Sequence, residues 1–357
     1  MTTDTQAPDT QAAGPARRAG VGSLARSLLE DRVALLVILL VVVLVAWFFA
    51  LSAGGYLVAP YDLSYMASAL ESMVPLAILG LAQLLVIVSG RGGIDLSVGA
   101  MVSLVGMAFG FAYGEWGWSF LPALLLALAA GVVLGAVNGV LVAYLRVPAL
   151  IATLATYYAY SSLALISNDN APISTRPLQD LNSITHSVQV GGLAVPRQVF
   201  SFLLPVAVLM WLLVNRAPYG RRLYAVGTNE VAARYASLDV ARVRFGAYTL
   251  SGLLSAVVAV ITADQFASAR PDAGTVGNGM ALPAITIAVL GGVAIAGGVG
   301  RVGGVLVAAL LIVWLNAGIL LYFEGSQGSQ YQLFALGAVL LVSALFNALV
   351  LRRRGAT

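Results

Sequence analysis

The stretch NRAPYGRRLYAVGTNEVAARYASLDVARVR, Asn215 to Arg244, is a polar, arginine-rich island between strongly apolar runs. Connections in compact proteins are short unless they serve a function or lack order. A charged connection of this length between two spans therefore reads as a surface recognised from outside the bilayer. Docking, not catalysis, is the first expectation.

The rest of the chain supports that contrast. Of its 357 residues 60% are hydrophobic and only 10% charged, and the mean hydropathy is +0.93, which is the composition of a polytopic membrane protein. There is no cysteine, hence no disulfide or thiolate metal site. The single histidine, His186, sits in a polar loop, and one imidazole does not make a metal site. All 19 basic residues are arginine. Without lysine the phosphate-binding loop of an ATPase cannot be built, so an ATP-driven role needs a second polypeptide.

Residues 1–30 lack apolar periodicity and read as a disordered tail, leaving residues 31–357 as one transmembrane domain whose long polar connection is about 215–242. The run Val33–Leu51 is long enough to span the hydrocarbon layer. Further apolar segments lie near Met66–Ser89, Val98–Tyr113, Phe120–Tyr144, Ala149–Ile166, Val199–Val214, Val243–Phe266, Ala281–Val299, Val302–Phe323 and Tyr331–Leu351. With the N-terminus inside, only Arg176, Arg197 and Arg270 fall outside, and the remaining 16 of the 19 arginines fall on the cytoplasmic side. The positive-inside rule thus makes the island and both termini cytoplasmic.

The expected fold is an all-α polytopic bundle of about ten transmembrane helices with broken or re-entrant segments. Two segments make poor plain helices. Ala281–Val299 contains Pro283, Gly291, Gly292, Gly297 and Gly298, and Val98–Tyr113 is short and follows Gly92 and Gly93. Irregular backbone at membrane depth belongs inside protein or along a cavity, and the comparable positions of the two segments hint at an internal repeat around a transport path. Gly131, Gly135 and Gly139, and Gly106 with Gly110, have the four-residue spacing of close helix packing. No HExxH or GxSxG motif is present, so no catalytic residue is assigned and an enzyme is not expected. The carboxylates Glu71, Asp95 and Asp264 lie near span ends, within reach of water, and Asp95 reads as a helix cap.

Three stretches carry a resemblance. GGIDLSVG (Gly92–Gly99, with Asp95 and Ser97), YAVGTNEVAARYASLDVARVR (Tyr224–Arg244) and AITIAVLGGVAIAGGVGRVGGVL (Ala284–Leu306) resemble motifs of the ribose/xylose/galactofuranose-type sugar ABC importer permeases, in the same order. The resemblance implies that Tyr224–Val240 contains a short coupling helix seated on a separate ATPase, carried by Gly227, Asn229, Glu230, Ala232, Ala233 and Arg234. Asn229 can cap that helix, Glu230 and Arg234 lie at i,i+4, and Ala232 with Ala233 are expected to pack closely on one side. It implies no cofactor in this chain, ATP and Mg being bound by the partner ATPase. It also implies an extracytoplasmic sugar-binding protein, a second permease copy, identical or related, and residence among the lipids of the bacterial inner membrane. Nucleic acid is not an expected partner.

There are departures from the motifs. Ser237 stands where glycine is common, which bears on the turn ending the coupling helix, and Gly279–Ile285 lacks the acidic residue common there. A sugar path needs neutral hydrogen-bonding groups and aromatic faces. Gln83, Asn138, Thr153, Thr156, Tyr157 and Asn316 offer these within apolar spans, where each alone could equally bond a neighbouring helix. The connection Ser167–Gln198 is a candidate docking surface for the binding protein. The rival expectations are a permease for branched-chain amino acids or nucleosides, and an ion-coupled secondary transporter.

Overall fold

The computed structural model describes residues 32–181, 187–276, 279–323 and 325–355. The tail at 1–30 and His186 lie outside the described residues. In chain order the elements are α1 (Arg32–Ala53), α2 (Leu63–Val88), α3 (Val98–Phe109), α4 (Phe120–Gly139), α5 (Ala149–Ile166), the short α6 (Arg176–Asp180), β1 (Ser187–Val190), β2 (Leu193–Pro196), α7 (Leu204–Asn215), α8 (Pro218–Thr228), α9 (Glu230–Tyr235), α10 (Val240–Gln265), α11 (Ala281–Leu290), α12 (Val302–Tyr322) and α13 (Ser326–Gly355). Single π-helical turns extend α3 over Gly110–Glu115 and α4 over Val140–Tyr144, and lead into α7 over Val199–Leu203.

Among the described residues, eight helices are long and apolar enough to cross a membrane, or nine if Val199–Asn215 and Pro218–Thr228, bent by 65°, form one span. The bend has a local cause. Pro218 excludes its predecessor from the helical region, and Ala217 is extended at φ −73, ψ 153. The polytopic all-α class is as expected. The count differs from ten mainly at Ala281–Val299, which is helical only over Ala281–Leu290. Ten residues reach about 15 Å, half a hydrocarbon layer, and from Gly291 to Arg301 the chain is irregular. The other irregular stretch is Ser89–Ser97, which precedes α3 and leaves that helix itself continuous.

α2 is the axis of the bundle. From Met73 to Gly90 every residue except Leu76 is buried, because α7, α8, α10, α11 and α12 all pack on it. α10 is the second central helix, in contact with α2, α3 and α4. Its approach to α4 depends on glycine: a methyl group on Gly135 would lie 2.9 Å from Gly252 Cα, and one on Gly139 would lie 2.8 Å from the Phe245 ring. Small residues at four-residue spacing let the two backbones meet, as that spacing predicts. Gly106 differs, since its nearest neighbour would be 3.9 Å away.

The sequence reading contained no strands, yet β1 and β2 form an antiparallel hairpin. Gly191 and Gly192 turn it, with φ 60 and 86, the positive values that a two-residue hairpin turn needs. At the same end of the bundle an isolated bridge joins Ile173 to Ala269, each amide donating to the other's carbonyl at 2.9 Å.

Candidate functional site

At the arginine-rich end of the bundle the turn just ahead of GGIDLSVG meets the other two quoted motifs. Gly90, Gly227, Gly297 and Gly298 pack backbone on backbone. A methyl on Gly90 would lie 3.1 Å from Gly227 Cα, one on Gly297 2.6 Å from Gly90 Cα, and one on Gly227 2.5 Å from the Gly298 nitrogen. Gly298 N–H donates to the Val88 carbonyl at 3.0 Å, and the Tyr224 hydroxyl donates to the Gly300 carbonyl at 2.6 Å. Gly90, Gly297 and Gly298 also have φ of 82, 95 and 73, so both space and conformation require glycine there. Of the other motif glycines, Gly93 abuts the Val86 carbonyl, Gly291 abuts Val305 on α12, and Gly92 and Gly292 serve turns at positive φ.

α9 hangs from this junction. The Asn229 side chain accepts the Ala232 amide at 3.0 Å, the expected cap. At the other end Ser237 N–H bonds the Arg234 carbonyl and Leu238 N–H bonds the Ala233 carbonyl, the closing pattern of a left-handed C-terminal cap. Ser237 takes φ 59, so the tight turn is kept without glycine. Ala233 is 3% exposed and packs inward. Ala232 is exposed; consecutive helical residues point about 100° apart, so the expected shared side does not exist. Outward α9 presents Val231, 62% exposed, and Tyr235, 89% exposed, one turn apart.

Glu230 ties α9 to the bundle. Its carboxylate pairs with Arg234 one turn on and accepts from Arg244 Nη2 at 3.0 Å, while Arg91 Nε lies 3.8 Å away. The Arg244 side chain is 3% exposed, and the same Nη2 also donates to the Ser89 carbonyl at 3.3 Å. Partial burial of Glu230 works against ionisation, but the bonds and charge of Arg244, then Arg234 and Arg91, hold its carboxyl below the usual carboxylate range.

Farther inside is a buried polar hub. Asp95 Oδ1 accepts the Ser97 amide at 3.0 Å and the Ser97 hydroxyl at 2.6 Å, and Oδ2 accepts the Ser251 hydroxyl of α10 at 3.0 Å. Asn138 Nδ2 donates to Ser97 Oγ, and Asn138 Oδ1 accepts from Thr156, both at 2.7 Å. The Gln83 amide brackets the Asp95 backbone, donating to its carbonyl at 2.5 Å and accepting its N–H at 3.2 Å. Thr153 donates to the Ile94 carbonyl at 3.3 Å. Gln83, Asn138, Thr153 and Thr156, from three helices, thus converge on the GGIDLS segment. Asp95 is not the expected helix cap: Ser97 holds the N-cap position of α3, Asp95 only closes a local turn onto Ser97, and it is buried, not open to water.

Tyr157 and Asn316 lie apart from the hub and are half-buried. Tyr157 meets Tyr158 edge-on at 5.3 Å, and the Asn316 carbonyl accepts from Gln332 at 3.0 Å. At the far end of the bundle a cleft of about 450 Å³ is lined by Leu165, Asn170, Pro172, Ser268, Arg270, Pro271 and Asp272. Its walls are joined by the Ile173–Ala269 bridge and a 2.7 Å hydrogen bond between Ser174 and Ser268. Near it Gln198 and Gln265 both donate to the Glu71 carbonyl. Asp264 is 2% exposed, and neither of its carboxylate oxygens has a hydrogen-bond partner among the described residues.

Sequence reading missed Ser89, Arg91, Arg244 and Ser251. Arg244 carried a signal, an arginine beginning an apolar span and so in need of a partner; the two serines carried none. The chain matches, over residues 64–344, the family model described as branched-chain amino acid transport system / permease component. It is 33% identical over 297 residues to the autoinducer 2 import system permease protein LsrD of Klebsiella pneumoniae, covering 82% of this chain and 86% of that one. It is 34% identical over 271 residues to the ribose import permease protein RbsC of Escherichia coli K12 (76% and 81% covered). Against RbsC of Bacillus subtilis it is 36% identical over 261 residues (72% and 76% covered). No solved structure gives a significant match.

Proposed function

The chain belongs to the branched-chain amino acid transport system / permease component family, and from that premise we propose that it is the membrane-spanning subunit of an ATP-driven importer for a monosaccharide. The observation that carries this is α9, a six-residue helix capped by Asn229 and fixed to the bundle by Glu230 and Ala233 while Val231 and Tyr235 face outward. Exposed apolar side chains on a rigidly mounted polar helix suit a groove on a separate ATPase, which binds ATP and Mg. Gly227, Asn229, Glu230, Ala233 and Arg234 mount the helix; Ala232, Val231 and Tyr235 meet the partner. The arginine-rich end and both termini then face the cytoplasm of a bacterial cell, across its inner membrane.

The sugar assignment rests on relatives named for import of ribose and of autoinducer 2, and on the hub being built almost wholly from neutral hydrogen-bonding groups. Tyr157 and Asn316 are retained as path residues. Gln83, Asn138, Thr153 and Thr156 reach the path through the segment they hold, together with Asp95, Ser97 and the motif glycines. An extracytoplasmic binding protein docks on Ser167–Gln198 and delivers solute beside the Asn170–Arg270 cleft, and a second permease copy completes the path. A branched-chain amino acid would need fixed charges for its ammonium and carboxylate; Gln83, Asn138, Thr153 and Thr156 offer none, and the carboxylate of Asp95 is engaged by Ser97 and Ser251.

The test is a mild-detergent pull-down of the chain from its own membrane with mass spectrometry of stoichiometric partners. A P-loop ATPase and a sugar-binding protein are expected, with ATPase recovery lost in Val231→Asp/Tyr235→Asp. Recovery of the chain alone, where a control importer complex survives, overturns the proposal. One observation favours a second reading: buried Asp264 has the character of an ion-coupling carboxylate. That reading requires solute uptake by the isolated chain in proteoliposomes, abolished by Asp264→Asn.

A further inference from the structure

Resting on the coupling reading of α9, we infer that Arg244 is a positioning residue that makes the GGIDLS segment move with α9. A single guanidinium nitrogen of Arg244 bonds both Glu230 of α9 and the Ser89 carbonyl at the start of the irregular Ser89–Ser97 segment. Arg91, inside that segment, reaches the same carboxylate at 3.8 Å. Two turns along α10 from Arg244, Ser251 bonds Asp95 near the segment's other end. The segment is thus held at both ends by one helix, and at its first end by α9 as well.

The geometry sets what α9 can do. Glu230 sits three residues past Gly227, whose backbone is wedged between Val88 and Gly298, so α9 cannot slide independently of the segment's base. Tilting α9 draws on the Glu230 carboxylate. Arg244, nearly excluded from water, has no solvent to replace that partner. The displacement passes to Ser89 through the shared nitrogen and to the hub through Asp95, whose carboxylate and backbone engage Ser97, Ser251 and Gln83. Since Ser97 in turn holds Asn138, and Asn138 holds Thr156, four helices receive one input.

The test compares hydrogen–deuterium exchange in the chain co-purified with its ATPase, with and without ATP plus vanadate, in the wild type, Glu230→Leu/Arg244→Met and Arg244→Lys. The apolar pair removes the link without leaving a buried charge alone. Trapping is expected to change protection in both α9 and the 89–97 peptide of the wild type. In the apolar pair the α9 change persists and the 89–97 change is lost. In Arg244→Lys, whose ammonium can serve both acceptors from one nitrogen, the 89–97 change returns. If the double variant does not assemble, Arg244→Met alone, which breaks both bonds while leaving Glu230 paired with Arg234 and partly open to water, gives the same comparison. A nucleotide response at 89–97 that survives in the unlinked variant overturns the relay alone. A wild-type α9 that does not respond at all overturns the coupling reading and the relay with it.

Discussion

Replacing Gly227 with alanine is the sharpest test of the glycine junction. The added methyl would sit 2.5 Å from the Gly298 nitrogen, about 1 Å inside ordinary van der Waals separation, and closer still to the Val88 carbonyl oxygen. Both are backbone atoms, so no rotamer change relieves the clash. The segments must part, and parting them lengthens the 3.0 Å Gly298–Val88 bond and strains the 2.6 Å Tyr224–Gly300 bond. Overpacking costs about 1–3 kcal/mol, and a buried donor left without its acceptor about 1–3 kcal/mol more. A loss of about 2–6 kcal/mol follows, which at ~2 °C per kcal/mol for a chain of this size lowers the melting temperature by roughly 4–12 °C. The assay is thermal unfolding in detergent followed by tryptophan fluorescence, with Gly337→Ala as control because nothing lies within 4 Å of a methyl there. A Gly227→Ala protein that melts within a degree or two of the wild type would refute the junction as drawn.

Two further outcomes are expected. Ser237→Gly should raise stability by roughly 0.5–1 kcal/mol, since a left-handed residue with a side chain carries strain that glycine avoids; a lower melting temperature would mean that the serine makes a compensating bond. The Glu230 cluster should depend on acid in one direction. Because the folded-state carboxyl is held below its unfolded value, its contribution is fully present above the usual carboxylate range of about 4.3 and is lost as the pH falls through the lowered folded value. Exchange protection of α9 should therefore be flat from neutral pH down to about 5 and fall below that, and Glu230→Gln should remove the dependence.

The spans were legible because apolar runs long enough to cross lipid have few other uses. α9 was legible through Asn229 and the Glu230–Arg234 spacing, which are local. What could not be read was the meeting of distant segments. Nothing near Gly90 in the chain indicates that Gly227 and Gly297 will be its neighbours. Gln83, Asn138 and Thr156 looked like separate polar interruptions until one acidic segment was seen to gather them. The hairpin at Ser187–Pro196 was overlooked because four-residue strands give almost no alternating pattern. The shortness of α11 was half-legible: Gly291 and Gly292 mark its end, but only its packing against Gly304 shows that the chain turns there.

The hub also imposes a timetable on biosynthesis. Gln83 and the Asp95 backbone are 12 residues apart, so that contact can form soon after the second span enters the membrane. The second carboxylate oxygen of Asp95 must wait for Ser251, 156 residues later, which at about 5–20 residues per second is roughly 8–30 s of elongation. During that interval a half-satisfied acid sits among apolar helices, and α10, threading between α2, α3 and α4, is the piece that completes it. A nascent chain halted ahead of α10 is therefore an unfinished bundle with an acid lacking its last donor, the kind of intermediate that membrane quality control can recognise and remove.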